Sequence, residues 1–198
     1  LARRYDGAKP RWVRERWATP DGDFVDVDWR FDDVALPDDA PLLILFHGLE
    51  GSSSSHYAEA FAQEVQAKGW RMAIPHFRGC SGEINWAPRA YHSGDFEEVA
   101  WMLDRFRKQH AGPVFAVGIS LGGNALMRWA GEMGQAATRV VNGIASVCSP
   151  IDLSASGHAI DTGFNKAVYA RMFLASMKPR AMQKLQQFPG LFDQQELL

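Results

Sequence analysis

Two stretches, residues 11–18 and 24–31, are rich in β-prone residues, and in the second Val25, Val27 and Trp29 interleave with Asp26, Asp28 and Arg30. A period of two with alternating polarity is the pattern of a strand with one face on a core and the other in water. Between them, Thr19-Pro20-Asp21-Gly22-Asp23 carries turn chemistry, which predicts an antiparallel hairpin at a sheet edge. From Pro41 onward the rhythm changes to predominantly apolar runs at residues 42–46, 71–74, 114–117 and 140–147. Such runs belong to parallel strands covered on both faces. Helical stripes lie between them. Tyr57, Phe61 and Val65 recur at i, i+4, i+8 before Lys68-Gly69, a basic last turn and a glycine stop. Phe96, Val99, Leu103 and Phe106 make a second stripe, opened by Asp95 with Glu98 at capping-box spacing. Leu126, Trp129, Ala130 and Met133 make a third, ended by Gly134. Strands alternating with helices predict an α/β sheet of doubly wound type. After Ser149-Pro150 the strand signals stop, and residues 162–188 read as a helical excursion with Phe164, Val168, Met172 and Leu185 among its apolar positions.

Composition narrows the picture. The 198 residues are 46% hydrophobic and carry 21 basic against 23 acidic side chains, a formal net charge of −2. Such a chain can bury a core, and about 70% of its unfolded surface is expected to be hidden. Without a run of like charges, neither a nucleic-acid tail nor a polybasic membrane anchor is expected. The longest clean apolar run, residues 41–46, is far short of the roughly 20 residues that span a bilayer, so no integral membrane segment is predicted. No hydrophobic stretch follows Arg3-Arg4 as a secretory signal requires. Two cysteines, Cys80 and Cys148, are too few for a disulfide framework, so the expected compartment is the reducing cytoplasm. The chain does not begin with Met, which suggests a processed, trimmed or fragmentary form. No His or Cys pair has ligand spacing, so no metal is predicted.

One segment carries chemistry. Gly118-Ile119-Ser120-Leu121-Gly122 fits G-x-S-x-G and lies directly between an apolar strand and a helix, the setting of a nucleophile elbow. The bland alternative is that Ser120 simply caps the helix, as serines often do. A second element argues against it: His47-Gly48-Leu49-Glu50-Gly51 follows the strand at 42–46 and precedes a helix. Acyl transfer puts negative charge on a carbonyl oxygen, and preorganised backbone N–H groups stabilise it. The expected donors are the amides of Leu49 and Leu121. A phosphate cradle would need a G-K-[ST] ending, which this loop lacks.

These residues, with His76-Phe77-Arg78-Gly79-Cys80-Ser81-Gly82-Glu83, Tyr91-His92-Ser93-Gly94-Asp95, Gly123-Asn124 and Ser149-Pro150-Ile151-Asp152-Leu153, carry a resemblance to the YheT-like branch of the α/β-hydrolases. That branch takes in abhydrolase-domain lipases and ester synthases and hydrolases. The resemblance implies an α/β-hydrolase core over residues 1–149, incomplete at its C-terminal strands, and a cap-like helical segment over 150–198. It implies hydrolysis of carboxylic esters, from short acyl esters to acylglycerols, through an acyl-enzyme on Ser120, with no cofactor. The partner would be a small ester or lipid.

A serine hydroxyl needs a histidine base oriented by a carboxylate, and in this fold the order is Ser, acid, His. Downstream of Ser120 lie one histidine, His158, and between them the acids Glu132 and Asp152. In the family pattern both roles sit on loops after two further strands, so neither is assigned here. Of the other histidines, His47 borders the oxyanion loop and is expected to shape it, and His76, at a strand's C-terminal end, is a candidate substrate contact or a brace with Arg78. His56 and His92 read as structural or solvent-facing, and His110 as a cation favoured at a helix end. Substrate-contact candidates are thus His47, Gly48, His76 and Trp86, with Phe164, Tyr169 and Phe173 as further pocket walls. A non-catalytic scaffold binding an apolar or acyl ligand is the rival reading. Missing strands would leave one sheet edge open, so self-association is expected.

Overall fold

A computed structural model describes residues 8–194. Strands β1 (Trp12–Ala18) and β2 (Phe24–Arg30) form the predicted hairpin, with β3 (Leu42–Phe46), β4 (Arg71–Pro75), β5 (Val114–Ile119) and β6 (Gly143–Val147) completing a six-stranded sheet. Its order is β1-β2-β4-β3-β5-β6, antiparallel from β1 to β4 and parallel from β4 through β6. Helix α1 (His56–Ala67) packs Ala58, Ala62 and Val65 on one face, over Leu43, Leu45, Met72 and Ile74. Helices α2 (Phe96–Gln109) and α3 (Leu121–Met133) cover the other, burying Val99, Leu103, Phe106, Leu126 and Trp129 against Leu42, Ile44, Phe46 and Trp17. Phe106 is fully buried between Trp17 and Trp29, and truncating such a residue to Ala costs about 3–5 kcal/mol. Register sets the site: Phe46 lies opposite Gly118, and Ile119 opposite Val147. The turns leaving β3 and β5 therefore emerge side by side at the carboxyl ends of the parallel strands, where open α/β sheets place ligands.

Several expectations need correction. The polar side of β2 is not wet: Asp26, Asp28 and Arg30 are buried, because Arg14 and Arg16 of β1 fold across Asp28 and Asp26 in paired hydrogen bonds. Charge pairing allows the alternating pattern to be buried on both faces. The run at 140–147 begins as an approach to the sheet, since a 3₁₀ turn (Gly134–Arg139) delivers Val140 and Val141 to the core and only Gly143–Val147 is strand. That strand is exposed from Ile144 to Val147 and pairs, among the described residues, with β5 alone. Asp95 and Glu98 occupy capping-box positions, yet Asp95 makes no cap bond and binds Arg89 at 2.7 Å, while Glu98 binds Arg78 at 2.5 Å. Two stronger cationic partners outcompete the backbone.

Beyond β6, helix α4 (Leu153–Ile160) precedes α5 (Gly163–Asn165), a π turn (Lys166–Ala170) and α6 (Arg171–Gln187). Phe164, Val168 and Met172 are exposed there, while the one buried residue of α6 is Lys184. Its ammonium donates to the carbonyls of Asn85 and Ala87 at 2.5 and 2.7 Å, so a charge and not the apolar stripe anchors the helix. Among the described residues no helix is long and apolar enough to cross a membrane.

Candidate functional site

Only Ser120 separates β5 from α3. Its backbone sits at φ 51°, ψ −116°, the region at the first central position of a type II′ turn, normally left to glycine. The bend is tight enough that a Cβ on Gly118 would stand 2.6 Å from the Gly122 carbonyl, and one on Gly122 2.5 Å from that of Phe46. Ser120 N–H donates to the Val147 carbonyl at 2.8 Å. The side chain makes no cap bond to its own helix, which removes the capping alternative. Among the described residues the Ser120 hydroxyl has no hydrogen-bond partner, and the residue is half-buried.

Against this elbow lies the loop after β3. Gly48 lies close against the elbow: a Cβ there would stand 3.3 Å from Ser120 Cβ and 3.4 Å from the Ile119 carbonyl, a tight fit. Most amides of the loop are spent. Gly48 N–H donates to Tyr57 Oη at 3.0 Å, Glu50 N–H to Tyr91 Oη at 2.9 Å, and Gly51 N–H to the Gly48 carbonyl at 2.9 Å. Among the described residues no hydrogen bond leaves the N–H of Leu49 or of Leu121, the two expected donors. His47 is fully buried; burial first, with the neighbouring His76, lowers its pKa to about 3. The neutral ring donates from Nδ1 to the Gly48 carbonyl at 2.8 Å and accepts at Nε2 from the Phe77 N–H at 3.0 Å. It is a loop brace, as its position suggested.

His76 proves to be a brace too, with a partner other than Arg78. Its Nε2 lies 2.8 Å from Asp28, which also takes both Arg14 contacts and the Ser53 hydroxyl at 2.5 Å. Burial pushes the Asp28 pKa up, but bonds from Arg14, His76 and Ser53 outweigh it and hold the carboxyl well below the usual range. Arg78 turns the other way, to Asp21, Asp23 and Glu98. His47 and His76, at 0% and 1% exposure, present no face to a substrate, which corrects their place among the contacts. Trp86 is 54% exposed and sets its edge on Phe24, away from the cavity beside the loop. Phe164 and Tyr169 are likewise exposed. The cavity beside the loop, about 150 Å³, is walled instead by Leu49, Tyr91, Met177, Arg180 and Ala181. Tyr91 fell within a quoted motif without a role; Arg180 gave no sequence signal at all.

Among the described residues no histidine hydrogen-bonds Ser120. His158 is exposed on α4, Asp152 caps that helix through the Ala155 N–H at 2.8 Å, and Glu132 pairs with Arg128 at 2.6 Å. His56 and His92 are exposed as expected. His110 departs from expectation: burial, with Arg107 nearby, lowers its pKa and favours the neutral ring over the predicted cation.

A mostly parallel sheet wound by helices on both faces, with a tight strand-to-helix turn at the carboxyl ends of its parallel strands, is the architecture of the α/β-hydrolase fold. The chain belongs to the α/β-hydrolase fold family, whose profile matches residues 41–187. It is 40% identical over 192 residues to YheT of Escherichia coli K12, named as a candidate esterase, an overlap of 96% of this chain and 54% of YheT. It is 30% identical over 142 residues to mouse phospholipase ABHD3, covering 68% of this chain and 34% of that protein. The chain thus spans about a third to a half of the length of these relatives. Among solved structures, Pyrococcus furiosus esterase Pf2001 superposes with a TM-score of 0.58 at 17% identity, over 90% of this chain and 68% of that one. The XC6422 serine hydrolase of Xanthomonas campestris gives 0.56 at 19%, over 72% and 63%. At such identities these likenesses speak for the fold.

Proposed function

We propose that the chain carries the nucleophile and oxyanion hole of a serine hydrolase acting on carboxylic esters, short acyl esters or acylglycerols. The observation that carries this is Ser120: strained, uncapped, and set against a loop whose one unspent inner amide is that of Leu49. The Ser120 oxygen adds to the ester carbonyl carbon as its proton passes to a general base. The carbonyl electron pair moves onto oxygen, and the resulting oxyanion is held by the Leu49 and Leu121 N–H groups. Collapse re-forms the carbonyl and expels the alcohol, which takes the proton from the base; water then repeats the sequence and frees the acid. Each hole donor is worth about 2.7–4 kcal/mol of transition-state stabilisation. The chemistry requires no cofactor. None of the six histidines hydrogen-bonds Ser120 among the described residues, so the general base is not assigned to any of them. A monoacylglycerol lipase of Saccharomyces cerevisiae, 30% identical over 128 residues, and the phospholipase relative support an ester substrate.

Treatment of the full-length protein with a fluorophosphonate, followed by peptide mapping, tests the reading. Adduct on Ser120, lost in Ser120→Ala, is expected. An unlabelled Ser120 would leave a ligand-binding scaffold.

A further inference from the structure

We propose that Arg180, on helix α6, is a positioning residue for the oxyanion loop and acts through Glu50; this rests on the reading of Leu49 as a hole donor. Residues 48–51 form a four-residue turn closed by the Gly51 N–H on the Gly48 carbonyl at 2.9 Å. The N–H of Leu49 shares a peptide plane with that carbonyl and points the opposite way. Whatever holds the turn therefore aims the amide. His47 Nδ1 holds the same carbonyl from a second side at 2.8 Å.

The weak point of this turn is its third residue. Glu50 sits at φ 56°, a left-handed position that turns of this kind reserve for Gly or Asn, and an ordinary side chain there carries a strain that its surroundings must over-determine. They do so through both ends of the residue. Tyr91 Oη accepts the Glu50 N–H at 2.9 Å and donates to Glu50 Oε1 at 2.6 Å. Arg180 Nη2 takes the other carboxylate oxygen, Oε2, at 3.0 Å, while its Nη1 contacts Cys80 Sγ at 2.9 Å. Burial opposes the charge on Arg180, but the Cys80 and Glu50 contacts more than offset it, so its pKa is raised and the guanidinium stays protonated. At side-chain exposures of 27% and 12%, the pair is better shielded than the surface ion pairs that contribute little.

Packing does not substitute for this contact. A cavity of about 150 Å³ lies where α6 faces the loop, bounded by Leu49, Tyr91, Met177 and Ala181. The ion pair bridges the helix and the loop at its margin. A glycine at position 50 would adopt the turn without help. Glutamate makes the turn depend on α6, and so ties the direction of the Leu49 amide to whether that helix is seated.

The test is a kinetic double-mutant cycle in the full-length protein, with Arg180→Met, Arg180→Lys, Glu50→Gly and the Glu50→Gly/Arg180→Met pair. Far-ultraviolet circular dichroism and melting report folding, and a short-chain p-nitrophenyl ester serves as substrate. Arg180→Met is expected to lower kcat about tenfold with KM within twofold, and to slow fluorophosphonate labelling of Ser120 in parallel. Arg180→Lys should recover most of the loss. In the Glu50→Gly background, Arg180→Met should change kcat by less than twofold. If Arg180→Met does not fold, Glu50→Gln, which weakens the same pair, must show the same kcat loss. A wild-type kcat in folded Arg180→Met, an equal loss with or without Glu50, or a loss confined to KM overturns the positioning role while leaving Ser120 as nucleophile. Absence of label on wild-type Ser120 overturns the hydrolase reading and the positioning role with it.

Discussion

Replacing Ser120 by glycine should stabilise the protein relative to Ser120→Ala while abolishing covalent labelling in both. The argument starts from φ 51°, ψ −116°, where an L-residue is strained by about 1–3 kcal/mol. Glycine relieves that strain but returns about 0.4–1 kcal/mol as extra freedom of the unfolded chain. With mid-range values the net gain over alanine is about 1 kcal/mol. Comparison with alanine, not with wild type, cancels the loss of the hydroxyl, which makes no cap bond in any case. The assay is equilibrium unfolding in urea at matched pH, supported by melting temperature; 1 kcal/mol corresponds to about 2–4 °C in a domain of 150–250 residues. If Ser120→Ala proves as stable as Ser120→Gly, the elbow stores no strain. The geometric reason for singling out this serine would then fail, whatever the labelling shows.

Gly122→Ala should cost at least about 3 kcal/mol, the upper end for overpacking, because its Cβ would meet the backbone at Phe46 and His47; unfolding midpoints within about 1 kcal/mol of wild type would refute this. Asp28→Asn breaks a buried network, at about 3–5 kcal/mol. Because the folded Asp28 pKa lies below the unfolded value near 3.9, its stabilisation is full above that value and lost as pH falls through the folded one. Stability of the variant from pH 5 downward should therefore fall less steeply than that of wild type, and parallel acid limbs would refute it. The 198-residue chain alone should hydrolyse p-nitrophenyl acetate no better than the residual about 10³–10⁴ over water that survives loss of a triad base. Robust turnover abolished by His158→Ala would identify a base after all. The same chain should self-associate through exposed β6, and Ile144→Lys with Val147→Lys should suppress it; a monodisperse wild-type monomer by light scattering would refute this.

The parallel core was legible because a strand buried on both faces has to be apolar, and the runs at β3, at β4 after Arg71, and at β5 are. The elbow was legible because small residues must surround a bend that tight. What misled was polarity read as exposure. Asp26, Asp28 and Arg30 alternate like a solvated face, yet Arg14 and Arg16 neutralise the acids from the neighbouring strand, and Asp32 pairs Arg30 from the residues that follow. The pairings of Arg14 and Arg16 cross sequence distance and have no local signature. The same holds for Lys184 and Arg180, whose partners lie about a hundred residues upstream. The opposite error affected Phe164 and Met172, where an apolar stripe at helical spacing turned out to be exposed among the described residues.

These misreadings share a physical origin that bears on the site. Backbone amides can serve as an oxyanion hole only if something rigid aims them, and the loop from His47 to Gly51 has no secondary structure of its own to do so. Its rigidity comes from polar side chains delivered by other elements: Tyr57 from α1, Tyr91 from the segment before α2, and Arg180 from α6. His47, itself held by the backbone of Phe77, stands beside His76 on Asp28 of the hairpin. Each of these groups is costly to bury unpaired, so each binds strongly to the one arrangement that satisfies it. An apolar packing would tolerate a rotated loop at little cost, whereas this network does not. On the proposed reading, these polar groups are thus what sets the direction of the Leu49 amide, even though they lie outside the reacting groups.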